Sequence, residues 1–261
     1  MRALSIAASG MQAQQLNVDV ISHNIANMNT TSYKRQRAEF QDMLYQNIER
    51  PGSTSSASGS ILPLGIQLGV GVRADAVGRI TEQGGIGATQ NPYDLAINGR
   101  GFFQVTLPSG QTGYTRAGNL AVDADGELVT ADGYPIEPSI SVPQEATAVQ
   151  ITRDGIVEVT LAGQTDPQQI GQIEIASFIN AAGLEAIGDN LYLETPASGT
   201  ANTATPGSPG LGTIMQGYLE LSNVNAVEEI SALIVAQRAY EMNARVITAA
   251  DEMMQSTTQM R

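Results

Sequence analysis

Cysteine and tryptophan are absent from the 261 residues, and histidine occurs once, at His23. Without cysteine there is no disulfide, no thiol nucleophile and no thiolate metal site. A single imidazole excludes any centre that needs two. Charge is also scarce, at 15% of residues against about 25% in typical soluble proteins. Basic residues are half as many as acidic ones, 13 against 26, and the net charge of −13 argues against attraction to nucleic acid or to an anionic membrane surface. No run of about 18 apolar residues occurs, so membrane insertion is not expected. The opening Met1 to Ala8 imitates a signal peptide, but Gln12, Gln14 and Gln15 cut the apolar run short and no small-residue cleavage site follows.

What charge there is divides the chain. Residues 51–221 carry a net −12, whereas residues 1–32 are neutral and residues 222–261 carry −2. The near-neutral ends have helical patterns. Leu4, Met11, Val18 and Ile25 lie seven apart, and Ala7, Gln14, Ile21 and Met28 form a companion row. This is a heptad seam with one polar break, closed by the turn chemistry of Asn27, Asn29 and Thr30. Towards the other end, Asn225 with Glu228 forms a capping-box pattern. Ile230, Leu233, Ile234, Tyr240, Ile247 and Met254 then mark one side of a second helix. Its companion row, Gln237, Ala244 and Asp251, is poor, which disfavours a long two-stranded coil.

Between the helices the period falls to two. Residues 94–107 and 114–160 alternate, and Asn98-Gly99, Asp125-Gly126, Asp132-Gly133 and Asp154-Gly155 supply turn pairs of the kind that close hairpins. The spacing predicts an α+β protein: terminal helices packed together, coiled-coil-like, and a central, mainly antiparallel β domain. The corresponding boundaries are 1–32 with 222–261 for the helices, 33–75 for a junction and 76–221 for the β domain. Pro51 to Ser60 and Pro196 to Gly212 have loop composition. Phe40, Leu44 and Ile48 lie four apart, which would give a short helix within 36–49.

Chemical motifs are weak. Gly69-Val70-Gly71-Val72-Arg73-Ala74 fits a dinucleotide fingerprint, but Gly78, Gly84, Gly85 and Gly87 leave no helix to follow it. Asp123 to Gly126 imitates a calcium loop, yet aligning Gly126 with the loop's glycine puts Ala121 where the first carboxylate belongs. His23 has no carboxylate nearby in sequence, no spacing singles out a glycosidase carboxylate pair, and neither a nucleophile elbow nor a phosphate loop is present. Neither an enzyme nor a cofactor is expected. On the first helix, Gln12, Gln15, Asn17, Ser22 and Asn24 offer an uncharged polar face suited to packing identical copies without like-charge repulsion.

Ile25 to Arg35, with its Asn27-Met28-Asn29-Thr30-Thr31-Ser32-Tyr33-Lys34 core, resembles the N-terminal signature of the bacterial flagellar rod and hook protein family. Ser222 to Asn225 and Gln237 to Asn243 resemble its C-terminal signature, and Asp94 to Val105 and Tyr114 to Asn119 its core strands. Ser32 stands where the family often has glycine. The length, and the Ser-rich stretch with Leu64 to Arg73 after it, resemble the distal rod rather than the longer hook.

The resemblance implies a structural subunit that polymerises into a hollow helical drive shaft crossing the periplasm. Its implied partners are other copies of itself, the proximal rod proteins, the hook protein, the surrounding P and L ring proteins and the flagellar export apparatus, which delivers it without a cleaved signal peptide. The expected assembly interface is Leu4, Met11, Val18, Ile21, Ile25, Met28, Ile230, Leu233, Tyr240, Ile247 and Met254. The rod-specific segment, about 46–73, would act through Ile61, Leu62, Leu64, Ile66 and Leu68. Another rod or hook component is the alternative within the family, and a secreted peptidoglycan-binding β domain the alternative outside it.

Overall fold

Two helices with seven-residue apolar rows and a run of short, turn-punctuated strands make up a chain that divides into two compact units. The computed structural model describes residues 2–49, 64–164 and 166–259. One unit contains 1–26, 36–79 and 225–261, and the other contains 27–35 and 80–224.

The first unit is built on α1 (Arg2–Ala26) and α2 (Ala226–Gln259), which pack on each other. Asn225 caps α2: the Val227 N–H donates to Asn225 Oδ1 at 3.1 Å, and the Asn225 side-chain amide donates to Glu228 Oε1 at 3.2 Å. Glu228 and Glu229 stand in the first turn, where carboxylates complement the helix dipole. Against α1 lie β1 (Gln36–Asp42) and β4 (Val72–Arg79), paired antiparallel with a bulge at Glu39/Phe40. A ribbon of β2 (Tyr45–Glu49) and β3 (Ile66–Gly69) extends from them. The helix expected within 36–49 is therefore not formed. A four-residue spacing is even, so it marks one face of a strand as well as one face of a helix. Here the ladders with 72–79 and 66–69 decide between them.

The second unit carries the rest of the strands. Its largest sheet has seven strands, running in the order β16 (Glu185–Gly188), β17 (Leu191–Leu193), β8 (Thr112–Thr115), β7 (Phe102–Thr106), β15 (Ile175–Ser177) and β18 (Asn202–Ala204), with β11 (Ile136–Glu137) also on β7. A three-stranded sheet joins β12 (Ala146–Ile151), β13 (Ile156–Leu161) and β14 (Gln168–Gln172). Three strand pairs complete it: β9 (Leu120–Val122) with β10 (Leu128–Thr130), β6 (Leu95–Asn98) with β19 (Thr213–Gln216), and β5 (Ile86–Ala88) with β20 (Tyr218–Glu220). Every pairing is antiparallel.

The Asp125-Gly126 turn joins β9 to β10 as the sequence indicates, with the Gly126 N–H donating to Asp123 O at 2.9 Å. Asp154-Gly155 likewise joins β12 to β13. The alternating residues converge on a main core of Leu95, Ile97, Phe103, Val105, Leu128, Ile136, Val157, Ile173, Ile175 and Ile214, and a smaller cluster holds Tyr114, Ala176, Phe178, Leu184 and Tyr192. Gly118 is required where it stands, because a Cβ there would lie 1.7 Å from the Leu95 carbonyl oxygen.

Candidate assembly surface

Small side chains bring α1 and α2 together. Ala7, Ala13, Val20, Ile21 and Asn24 are the buried residues of α1, and Glu229, Ala236 and Ala250 those of α2. A Cβ placed on Gly10 would come within 3.0 Å of the Asn243 side chain, so this glycine admits the close approach. The α2 contact row is thus Glu229, Ala236, Asn243 and Ala250 at seven-residue steps. At the α2 N-terminus the contact turns polar: Asn24 Nδ2 donates to Glu229 Oε2 at 3.1 Å and to the Gln36 carbonyl at 2.8 Å. Asn24 Oδ1 accepts from the Gln36 N–H at 2.9 Å. Asn24 therefore belongs to the interior and not to the outer polar face, which keeps Gln12, Gln15 and Ser22 exposed.

The expected interface residues fall in three groups. Ile21 is buried within the unit. Leu4, Met11, Val18, Ile25, Leu233, Ile247 and Met254 are half-buried. Ile230 and Tyr240 are exposed, at 49% and 44%. Val18 and Tyr240 meet across an open groove of about 400 Å³ that Gln15, Gln237 and Glu241 also line. Met28, at the start of the segment that enters the β domain, is 40% exposed. Leu64, Ile66 and Leu68 stand exposed on or beside the ribbon, while Ile61, Leu62 and the Ser-rich stretch lie outside the described residues.

One row escaped the sequence reading. Val235, Met242, Val246 and Met253 are all exposed on α2. At 100° per residue they fall within about 20° of one line along the helix. Their steps of seven, four and seven carry the same signal as the rows that were recognised. Large apolar rows of this kind on a subunit surface mark contact surfaces.

Within the β domain, three charges meet in the interior. Lys34, the only lysine of the chain, donates from Nζ to Glu220 Oε1 at 2.5 Å and to the Glu82 carbonyl at 2.8 Å. Arg116 Nε donates to Glu220 Oε2 at 2.5 Å, and its terminal nitrogens donate to the carbonyls of Gly101 at 2.9 Å and Gly99 at 2.5 Å. The Gly84 N–H donates to Glu220 Oε1 at 2.9 Å. The Ser32 main chain and hydroxyl then reach Glu220 O at 2.8 Å and Arg116 O at 2.7 Å. All three charged side chains are buried, Glu220 completely. Burial pushes the Lys34 pKa below its ordinary value, against the upward pull of the hydrogen bond and charge of Glu220. Such a knot has the chemistry of a structural tie. Among the described residues there is no grouping of three or more acidic or imidazole side chains able to hold a metal.

Three family models match the chain: "Flagella basal body rod protein" over residues 4–34, "Flagellar hook protein FlgE/F/G D1 domain" over 96–159, and "Flagellar basal body rod FlgEFG protein C-terminal" over 215–260. The chain is 60% identical to the flagellar basal-body rod protein FlgG of Caulobacter vibrioides, over 100% of both chains. It is 51% identical to that of Agrobacterium fabrum over 97% of both. The chain belongs to the flagellar basal-body rod protein family. Its role there is structural, as a subunit of the flagellar distal rod. FlgG of Bacillus subtilis is 39% identical over 100% of this chain, whereas the same organism's flagellar hook-basal body complex protein FlhP is 26% identical, which separates the rod subunit from a related component. Each matched segment of the rod family contributes one charge to the knot: Lys34, Arg116 and Glu220.

Proposed function

We propose that the subunits polymerise through the outer faces of their paired helices into a hollow, straight shaft that crosses the periplasm and carries torque to the hook. The observation that carries this reading is the excess of exposed apolar side chains on α2: Val227, Ile230, Ile234, Val235, Tyr240, Met242, Val246 and Met253. A helix of a free-standing protein covers its apolar face, and these residues wait for neighbours. Identical subunits that meet through different surfaces propagate as an open helix where the rotation between them does not close a ring.

The remaining partners are the proximal rod proteins below, the hook protein above, the P and L rings around the shaft and the export apparatus that delivers the chain. Leu64, Ile66 and Leu68, with Ile61 and Leu62, stiffen the shaft by contacting neighbouring subunits. Support comes from the exposure of Leu64, Ile66 and Leu68 on or beside the β2–β3 ribbon. Negative-stain microscopy of the concentrated protein is the test. Straight tubes are expected, and dispersed monomers at every concentration would overturn the reading.

A further inference from the structure

Three stretches at the border of the β domain, residues 27–35, 80–88 and 218–224, are tied chiefly to one another. Lys34 and the Gly84 N–H both bind the Glu220 carboxylate, and the Ser32 N–H donates to the Glu220 main-chain carbonyl. The Asn223 side-chain amide donates to the carbonyls of Ile80 at 3.1 Å and Glu82 at 3.0 Å, while Asn223 Oδ1 accepts from the Arg35 N–H at 2.7 Å. The Ile80 N–H donates to Arg35 O at 2.8 Å, and the Leu221 N–H to Gly85 O at 2.7 Å. Their only ladder is the three-residue pair β5–β20, which stands apart from the seven-stranded sheet. Two side chains join the block to the strands beyond: Arg116, through the carbonyls of Gly99 and Gly101, and Gln83, which donates to Ile97 O and accepts from the Gly99 N–H.

Charge makes Glu220 the critical member. With it, the knot holds two cations and one anion. Without it, two buried cations face each other with no counter-charge. A short ladder, a dense internal hydrogen-bond set and a single charge-balancing group are the properties of a segment that opens as a unit, ahead of the global transition.

We propose that Glu220 closes a latch: the three border stretches form one cooperative block that opens before the seven-stranded sheet, and the Glu220 carboxylate, paired with Lys34 and Arg116, holds it shut. The latch rests on contacts inside the β domain and stands or falls independently of the polymerisation reading.

The single lysine makes the latch measurable in the full chain. Its amine is enclosed when the block is shut, so acylation of Lys34 by acetic anhydride, followed by peptide mass spectrometry, reports opening. In the unmodified protein, acylation is expected at urea concentrations well below the global transition. Acylation that begins only with global unfolding would overturn the proposal.

The Glu220→Gln variant is expected to raise the acylation rate at least about tenfold, and to speed amide exchange in 27–35, 80–88 and 218–224 similarly. Amides of β7, β8 and β15 should keep their protection. Loss of protection in those strands to the same degree would show that no separate block exists. Lys34→Met leaves the Arg116–Glu220 pair balanced and should speed exchange in the block far less than Glu220→Gln. Equal effects from the two variants would assign closure to packing and refute a charge-held latch.

Discussion

Replacing Met242 by aspartate separates the surface proposed to face neighbouring subunits from the surface that holds the subunit together. Met242 is 62% exposed and stands in the outer row with Val235, Val246 and Met253. Arg238 and Arg245, one turn away on either side, would give the new carboxylate helix-surface partners. The isolated chain should therefore shift its Tm by no more than about 2 °C.

In the polymer the same change acts twice. The methionine surface still open in the subunit would contribute about 1–2 kcal/mol on burial, and a carboxylate deprived of water costs several kcal/mol more. Together these exceed roughly 4 kcal/mol, close to a thousandfold in the association constant of each contact. Thermal melting of the monomer and microscopy of the concentrated protein give the two readouts, an unchanged Tm and no tubes being expected. Ile21→Asp is the counterpart: Ile21 is 5% exposed within the unit, so its loss should lower the helical circular dichroism before any assembly is attempted. Normal tubes from Met242→Asp would refute the outer-row assignment. A Tm drop of about 10 °C would show that Met242 is already committed inside the subunit.

Three further outcomes follow from particular residues. Because burial holds the Lys34 pKa below 10.5, the folded state releases that proton before the unfolded chain does. The charged form costs stability below the depressed pKa, so stability rises with pH between that value and 10.5. Lys34→Met should flatten the rise in urea titrations across that window, and an identical slope in both proteins would contradict the burial account. Gly71 has φ +140°, and a Cβ there would lie 2.3 Å from Ser9 Oγ. Gly71→Ala should cost about 1–3 kcal/mol in thermal melts, and adding Ser9→Ala should recover part of it while the backbone strain remains. Serine at Ile61, Leu62 and Ile66 together should give rods that bend, and straight rods in basal-body micrographs would place the stiffness elsewhere.

The two helices and the β domain could be read from the sequence because each pattern has one interpretation: seven-residue apolar rows at the ends, alternation and Asx-Gly turns between. The inner seam of α2 could not. Glu229, Ala236, Asn243 and Ala250 keep a strict seven-residue step, but close helix approach at Gly10 selects small and polar side chains, and a search for large apolar residues passes over them. The recognised row of Leu233, Tyr240, Ile247 and Met254 lies about 40° around the helix from that seam, so the correct period gave a neighbouring face.

Lys34, Arg116 and Glu220 were hidden for a different reason. Each lies in or beside a recognisable segment, but 186 residues separate Lys34 from Glu220 and 104 separate Arg116 from Glu220, and spacing carries no record of such a meeting. One feature of composition pointed to it. In a chain with 12 arginines and a single lysine, that lysine sits in the N-terminal signature, next to residues that turn the chain out of α1. A solvated surface charge needs no particular neighbour. A lone ammonium in the interior needs a carboxylate, and the acidic middle of the chain supplies it from the last strand before α2.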